Sequence, residues 1–334
     1  MSHVILSICI PVYNRKSELE YLLNNIILQL DEGALWNNVE MCISDNASND
    51  GTDILVASYM QRYKNIVYTC NHENVGFDRN LLHSLDIANG KYCWLFGSDD
   101  RFEPQAIAAI VKYLQQHAET VGITVNVQNY DSNFTQKIRN TSFRSDKDFI
   151  VNSVADTYIK LGQSFSFISA QIIRKKIWDE TISKQDITKY YNGYIHLYIL
   201  ANIVKENPKW IYLSQFMVGW RSGNDSALEP GAQGYIKRLR LDYAYYDIAS
   251  AVFGKRSWIY FWHGNQVCGQ CIFANLQNMK ANGKVNILPL FREVTQLCWL
   301  FPIYYIKILP LFFIPAKGLL LLKKFKQAYR NLRM

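Results

Sequence analysis

The chain has 334 residues, 49% apolar and 19% charged, with no low-complexity tract. That composition excludes a disordered chain and is enough for one large α/β domain with an appendage, or for two modest domains. The net charge of +8 is uneven: after Val294 come seven cations (Lys307, Lys317, Lys323, Lys324, Lys326, Arg330, Arg333) and no acid. The preceding residues are near neutral, which excludes a generally basic nucleic-acid binder.

In chain order, "VILSICIPVY" reads as a buried strand. It follows the start without a basic segment, so no secretory leader is expected. "SELEYLLNNIILQL" has helical spacing, with Ser17 as N-cap and Glu20 three residues on. "NVEMCISD" is a second strand and "GTDILVASYMQRY" a second helix. "NIVYTCN" is a third strand, followed by the helix "FDRNLLHSLDIAN", which Gly90 closes. "KYCWLFGSDD" is a fourth strand, and Pro104 opens the helix "PQAIAAIVKYLQQH". Strand–helix alternation with short loops predicts a doubly wound, mainly parallel α/β sheet whose ligands sit at the carboxyl ends of the strands.

Further on, "FSFISAQIIRKKIW" reads as a strand running into a helix, "DITKYYNGYIHLYILANIVKE" as a helix or a loop entering one, and "KWIYLSQFMVGW" as a strand. After Gly231 the pattern is helical. From Leu297 the chain is strongly apolar, but Lys307, Lys317, Pro302, Pro310 and Pro315 interrupt it. No window of roughly 20 residues is free of charge, so short amphipathic pieces lying on a membrane surface through 297–334 fit better than a span. The seven cysteines are odd in number, and several fall in strand-like runs, a pattern of a reducing compartment. Cys268-x-x-Cys271 has no second CxxC, which favours a structural role over a zinc site.

Acidic residues gather at the predicted strand ends: Asp45 after the second strand, Asp99 and Asp100 after the fourth. Two adjacent carboxylates at the end of a buried strand cost free energy unless a cation or a set of donors faces them.

The stretches "SICIPVYNR", "CISDNASNDGT", "NVGFDRN" and "FGSDD", in that order, resemble the nucleotide-sugar-binding half of a family 2 glycosyltransferase with a GT-A fold. The resemblance is strongest over residues 4–125. It implies a GT-A domain over 1–225 (nucleotide-sugar half 1–125, acceptor half 126–225) and a helical, membrane-associating region over 226–334. It also implies that Pro11, Tyr13 and Arg15 line the first strand–helix loop against nucleobase and ribose, that Asp45 accepts from the base, and that Arg79 and Arg221 lie by the nucleotide. Asp99 and Asp100 resemble the DxD-type motif that holds Mn²⁺ or Mg²⁺ against the diphosphate, ions suited to hard carboxylate oxygens. Here Gly97 stands where the family usually has a further acid. Asn224 and Asp225 in "GWRSGNDS" are further candidates for contact with diphosphate or acceptor.

For the group that deprotonates the acceptor, the resemblance points to His196, with Asp186 as the alternative. Should the outcome be retaining, His196 would instead hold the acceptor. Within the family the chain looks like the CDP-dideoxyhexosyltransferases of O-antigen and lipopolysaccharide assembly, the abequosyltransferase group. That implies a CDP-3,6-dideoxyhexose donor and a lipid-diphosphate-linked oligosaccharide acceptor on the cytoplasmic face of the bacterial inner membrane. Phe77, Trp94 and Trp220 are candidates to fill the space of a missing hydroxyl. A UDP- or dTDP-hexose donor and a catalytically silent binding subunit remain open. A nucleotidyltransferase would need a glycine-rich loop after the first strand, and "IPVYNRKSE" has no glycine.

Overall fold

A computed structural model of the chain describes residues 4–138, 145–223, 232–281, 285–315 and 318–319. The chain divides into two compact units, residues 1–224 and 225–334. Asn224, Asp225, Lys317 and the end of the basic tail lie outside the described residues.

Among the described residues the first unit has ten strands: β1 (Leu6–Val12), β2 (Val39–Asp45), β3 (Ile66–Cys70), β4 (Tyr92–Leu95), β5 (Arg101–Phe102), β6 (Gly122–Tyr130), β7 (Lys137–Ile138), β8 (Phe149–Val151), β9 (Gln171–Arg174) and β10 (Trp210–Arg221). They form one sheet of order β3-β2-β1-β4-β9-β6-β10-β5, with β7 on β6 and β8 on β10. The pairs β3-β2, β2-β1 and β1-β4 are parallel. Their continuous apolar sequences suit strands buried on both faces, and all of β1 and β2 is buried.

The other half of the sheet corrects the mainly parallel expectation. β9 runs antiparallel to both β4 and β6, and β5 antiparallel to β10. Direction is a matter of how the chain returns to the sheet, and no local pattern carries it. β6, a fully buried strand, also goes unread in the sequence.

Among the described residues seven helices accompany the sheet: α1 (Lys16–Glu32), α2 (Thr52–Arg62), α3 (Phe77–Asp86), α4 (Ala106–Gln116), α5 (Val154–Leu161), α6 (Lys175–Lys184) and α7 (Ile195–Glu206). α1 buries Leu19, Leu22, Leu23, Ile26 and Leu30, spaced three or four apart. α7 is buried from Ile195 to Val204, as a helix apolar all round must be.

Two expected helix ends are set differently. Ser17 makes no cap; the first N–H of α1, that of Lys16, goes to the Asp50 carboxylate at 2.8 Å. α3 ends before Gly90, whose N–H donates to Ser7 Oγ at 2.8 Å. Gly90 is a point of close approach, since a Cβ there would lie 2.5 Å from Ser7 Oγ.

The second unit is helical: α8 (Ala232–Leu241), α9 (Ala244–Phe253), α10 (Trp258–Val267), α11 (Phe273–Ala281), α12 (Phe291–Cys298) and α13 (Leu309–Phe313), with π-helical turns at Cys268–Ile272 and Tyr304–Ile308. Among the described residues no helix is long and apolar enough to cross a membrane.

Candidate active site

The carboxyl ends of β1 and β2 carry two loops stitched together by side chains. Asn14 N–H donates to Ser48 Oγ, Asn49 N–H to Asn14 Oδ1, and Lys16 N–H to Asp50, each at 2.8–2.9 Å. Behind them α3 supplies Asn80, whose amide donates to the carbonyls of Val12 and Ser44. Its Oδ1 accepts from Ser44 Oγ and Asn71 Nδ2. These bonds satisfy main-chain groups where the sheet ladder ends.

Pro11 is buried opposite Ser44 in the β1–β2 register, beneath the loop. Tyr13 is 44% exposed and Arg15 half-buried. Asp45 is fully buried: Oδ1 accepts from Ser48 N–H at 2.9 Å and Oδ2 from the Tyr68 hydroxyl at 2.9 Å. Both oxygens are engaged, so Asp45 shapes the turn beneath the loop surface. Its neighbour Asn46 joins that frame through Asn71, Asn74 and Val75.

The segment from Phe96 to Asp100 crosses from the end of β4 to β5 and gathers four of the expected residues. Arg15 makes an ion pair with Asp99. Arg221, the last residue of the bulged strand β10, donates from Nε to the Asp99 carbonyl at 3.1 Å. Its guanidinium lies 4.7 Å from the Phe134 ring centroid and 5.8 Å from that of Tyr21. Asp100 is buried, and its Oδ2 accepts from the Ser169 hydroxyl. Among the described residues its Oδ1 has no hydrogen-bond partner.

Burial, and then the neighbouring Asp99 charge, push the Asp100 carboxyl well above the usual carboxylate range. The Ser169 hydroxyl, the Arg221 main-chain N–H and the Arg15 charge pull the other way. Gly97 lets this cluster close. A Cβ there would lie 3.1 Å from a carboxylate oxygen of each aspartate and 3.3 Å from Ser169 Oγ, whereas the Gly97 N–H donates to Ser169 Oγ at 2.9 Å. The position of the family's further acid is therefore the floor of the two-carboxylate cluster.

Around the start of α7 lies a second group. Asp78, on α3, accepts from Gly193 N–H at 2.6 Å and from Ile195 N–H at 3.1 Å, so a carboxylate from another helix caps α7. Burial raises its pKa and those two N–H bonds partly offset this. Its neighbour Arg79 is exposed and sits 5.2 Å over the Tyr191 ring.

His196 is fully buried between Phe77 and Tyr194, edge-on to both rings. Its Nε2–H donates to the Ser166 carbonyl at 3.0 Å, and Nδ1 has no partner. Burial lowers its pKa to about 4. That value lies below the near-neutral titration expected of a base at this position. The imidazole stays neutral and ties α7 to the segment that carries Ser169.

Asp186 lies apart on an exposed turn. Its carboxylate takes the Thr188 hydroxyl (2.6 Å) and N–H and pairs with Lys189, and those bonds, the hydroxyl first, hold its pKa down. Such a carboxylate is a poor proton acceptor.

Of the three apolar candidates, Trp94 belongs to the core, its Nε1–H donating to the Ser169 carbonyl at 2.8 Å. Trp220 meets Phe167 edge-on, and Phe77 is 44% exposed. Ser169 and Asp78 are the residues that sequence reasoning missed. The signal for Asp78 was its place in "NVGFDRN" and in the first turn of α3, and Ser169 had none.

The profile described as glycosyl transferase family 2 matches residues 7–179, more than half of the chain. The chain belongs to glycosyl transferase family 2. An abequosyltransferase of Salmonella typhimurium is 33% identical over 264 residues, covering 75% of this chain and 76% of that protein. Among solved structures, residues 1–349 of S. aureus TarS in complex with UDP-GlcNAc give a TM-score of 0.55 at 12% identity, covering 90% and 92% of the two chains. A mannosyltransferase from Pyrobaculum calidifontis in complex with GDP-Man and Mn²⁺ gives 0.50 at 14% identity, covering 95% and 87%. The fold of this glycosyltransferase is accordingly GT-A-like.

Among its described residues no three or more His, Cys, Asp and Glu side chains gather as a metal cage. A divalent ion completed by substrate phosphates and water needs only one or two carboxylates. Asp99 and Asp100 fit that requirement, and the buried, unpartnered Oδ1 of Asp100 is the acceptor such an ion would satisfy.

Proposed function

We propose that this family 2 glycosyltransferase moves a sugar from a nucleoside diphosphate donor, a CDP-3,6-dideoxyhexose such as abequose, onto a lipid-diphosphate-linked O-antigen oligosaccharide. The observation that carries donor binding is the Asp99–Asp100 pair at the end of β4, with Arg15 and Arg221 against it. The 33% identity to the Salmonella abequosyltransferase over three quarters of the chain supports the choice of sugar.

In this reading the stitched loops after β1 and β2 receive the nucleoside, with Tyr13 as their exposed ring. Arg15 and Arg221 face the diphosphate, and their charge favours the departing nucleotide. Asp99 and Asp100 would hold Mn²⁺ or Mg²⁺, which when bound neutralises negative charge on the leaving diphosphate. Asp78 and His196 fix the start of α7, the acceptor side. Residues 297–334 bring the enzyme to the cytoplasmic face of the bacterial inner membrane, where a lipid-linked acceptor is held.

The test is a thermal-shift panel of CDP, UDP, GDP and dTDP, each with and without Mn²⁺. A Mn²⁺-dependent rise with CDP, lost in Asp99→Ala, supports the proposal. A rise with UDP or dTDP instead keeps the transferase and discards the dideoxyhexose, and no rise with any nucleotide discards donor binding.

A further inference from the structure

From Ile248 to the C-terminus the chain holds twelve cations and one acid, Glu293. That acid is already neutralised: both of its oxygens accept from Arg240 at 3.1 Å. The chain's positive charge therefore belongs to this stretch.

The same stretch exposes large apolar side chains. Trp258 is 65% exposed, Trp299 56% and Ile306 71%, with Trp262, Leu300 and Tyr305 exposed beside them in sequence. Isolated exposed apolar residues are ordinary; contiguous ones mark an interaction face. Ring contacts tie α10 to the strip that carries Trp299 and Leu300 through the buried Phe301. Trp258 meets Trp262 at 5.1 Å, Trp262 meets Phe261 at 5.7 Å, and Phe261 meets Phe301 at 6.2 Å. Trp299 and Leu300 immediately precede Phe301.

The two strips are locked side by side. A Cβ on Gly264 would lie 2.4 Å from the Phe301 ring, Ile303 N–H donates to Asn265 Oδ1 at 3.1 Å, and Lys307 Nζ donates to the Gly269 carbonyl at 3.2 Å. Lys255 and Arg256, both exposed, stand just before the Ser257 cap of α10. Tryptophans with cations at their edge are the composition that settles at the headgroup level of a bilayer, and the near absence of acid selects an anionic one.

We propose that α10 and residues 299–306 form a preformed docking face for an anionic lipid bilayer. This rests on the membrane location proposed above and extends the contact from residues 297–334 to a folded surface that includes α10. A face with this charge would repel a second copy of itself, which argues against a self-dimer.

The test uses the full-length protein and its Trp258→Ala/Trp262→Ala variant with vesicles of phosphatidylglycerol and phosphatidylcholine, or of phosphatidylcholine alone, read by co-sedimentation and by quenching of tryptophan fluorescence with brominated lipid. The expected result is binding only to vesicles containing phosphatidylglycerol, weakened about tenfold or more in the variant, with quenching reduced to what Trp299 alone gives. The variant's melting curve and nucleotide-induced shift should match the parent's, which keeps the result apart from misfolding. Equal binding by parent and variant overturns the docking face and leaves the tail as anchor. Failure of the parent to bind overturns the membrane location as well. A parent dimer that shields Trp262 from aqueous quencher and does not bind vesicles assigns the face to self-association instead.

Discussion

The Asp78 carboxylate accepts the Gly193 N–H at 2.6 Å across 115 residues of sequence, joining the start of α3 to the start of α7. A carboxylate at a helix N-terminus satisfies orphan N–H groups and complements the helix dipole. The helices α3 and α7 are therefore coupled through one side chain, and on the proposed reading so are donor and acceptor.

Asp78→Ala should lower stability by about 1–2 kcal/mol, the usual loss for an N-cap, and raise the acceptor KM more than the donor KM. Asp78→Asn, which keeps an acceptor oxygen, should recover part of both. Chemical denaturation together with separate donor and acceptor titrations checks this, and equal effects on both substrates would sink the coupling.

Asp100→Asn should raise the melting temperature of the metal-free protein while abolishing Mn²⁺-dependent nucleotide binding. A carboxyl whose folded pKa lies above its unfolded value contributes stability at low pH that is lost as pH rises through the folded pKa. The gain from the amide should therefore grow from pH 4 to pH 8. Melting curves across that range measure it, and a gain confined to acid would contradict the assignment.

Gly97→Ala should weaken Mn²⁺-dependent nucleotide binding severalfold with little change in fold, because the new Cβ presses on both carboxylates and on Ser169 at 3.1–3.3 Å. Calorimetric titration of nucleotide with Mn²⁺ reads the change. Unaltered affinity would mean that the cluster has room to spare.

His196, buried with a pKa of about 4 against about 6.5 unfolded, stays neutral in the folded chain. Its contribution is complete above pH 6.5 and lost as pH falls towards 4, at most about 3 kcal/mol. His196→Gln should flatten stability between pH 6.5 and 4. The parent's kcat should show no limb near 6.5 that disappears in the variant; such a limb would restore His196 as the base.

Much of this was legible in the sequence. β1 to β4 announce themselves as apolar runs ending in Asp45, Asp99 and Asp100, and the helices between them follow from apolar spacing. What was not legible depends on distant partners. Asp50 replaces Ser17 as the cap of α1, β9 reverses direction between β4 and β6, and Asp78 caps a helix 115 residues away. The burial of His196 was foreshadowed by a helix apolar on every side, yet its bond to Ser166 needed the fold.

The stitches between the β1 and β2 loops, Asn14 to Ser48 and Asn49 and Lys16 to Asp50, bear on the speed of donor capture. A receiving surface whose backbone is already tied gives up little freedom when ligand arrives. Encounter then needs no slow ordering of this part of the site. On the proposed reading its rate is set by diffusion and by the pull of Arg15 and Arg221 on a dianionic diphosphate, and so should fall as ionic strength rises.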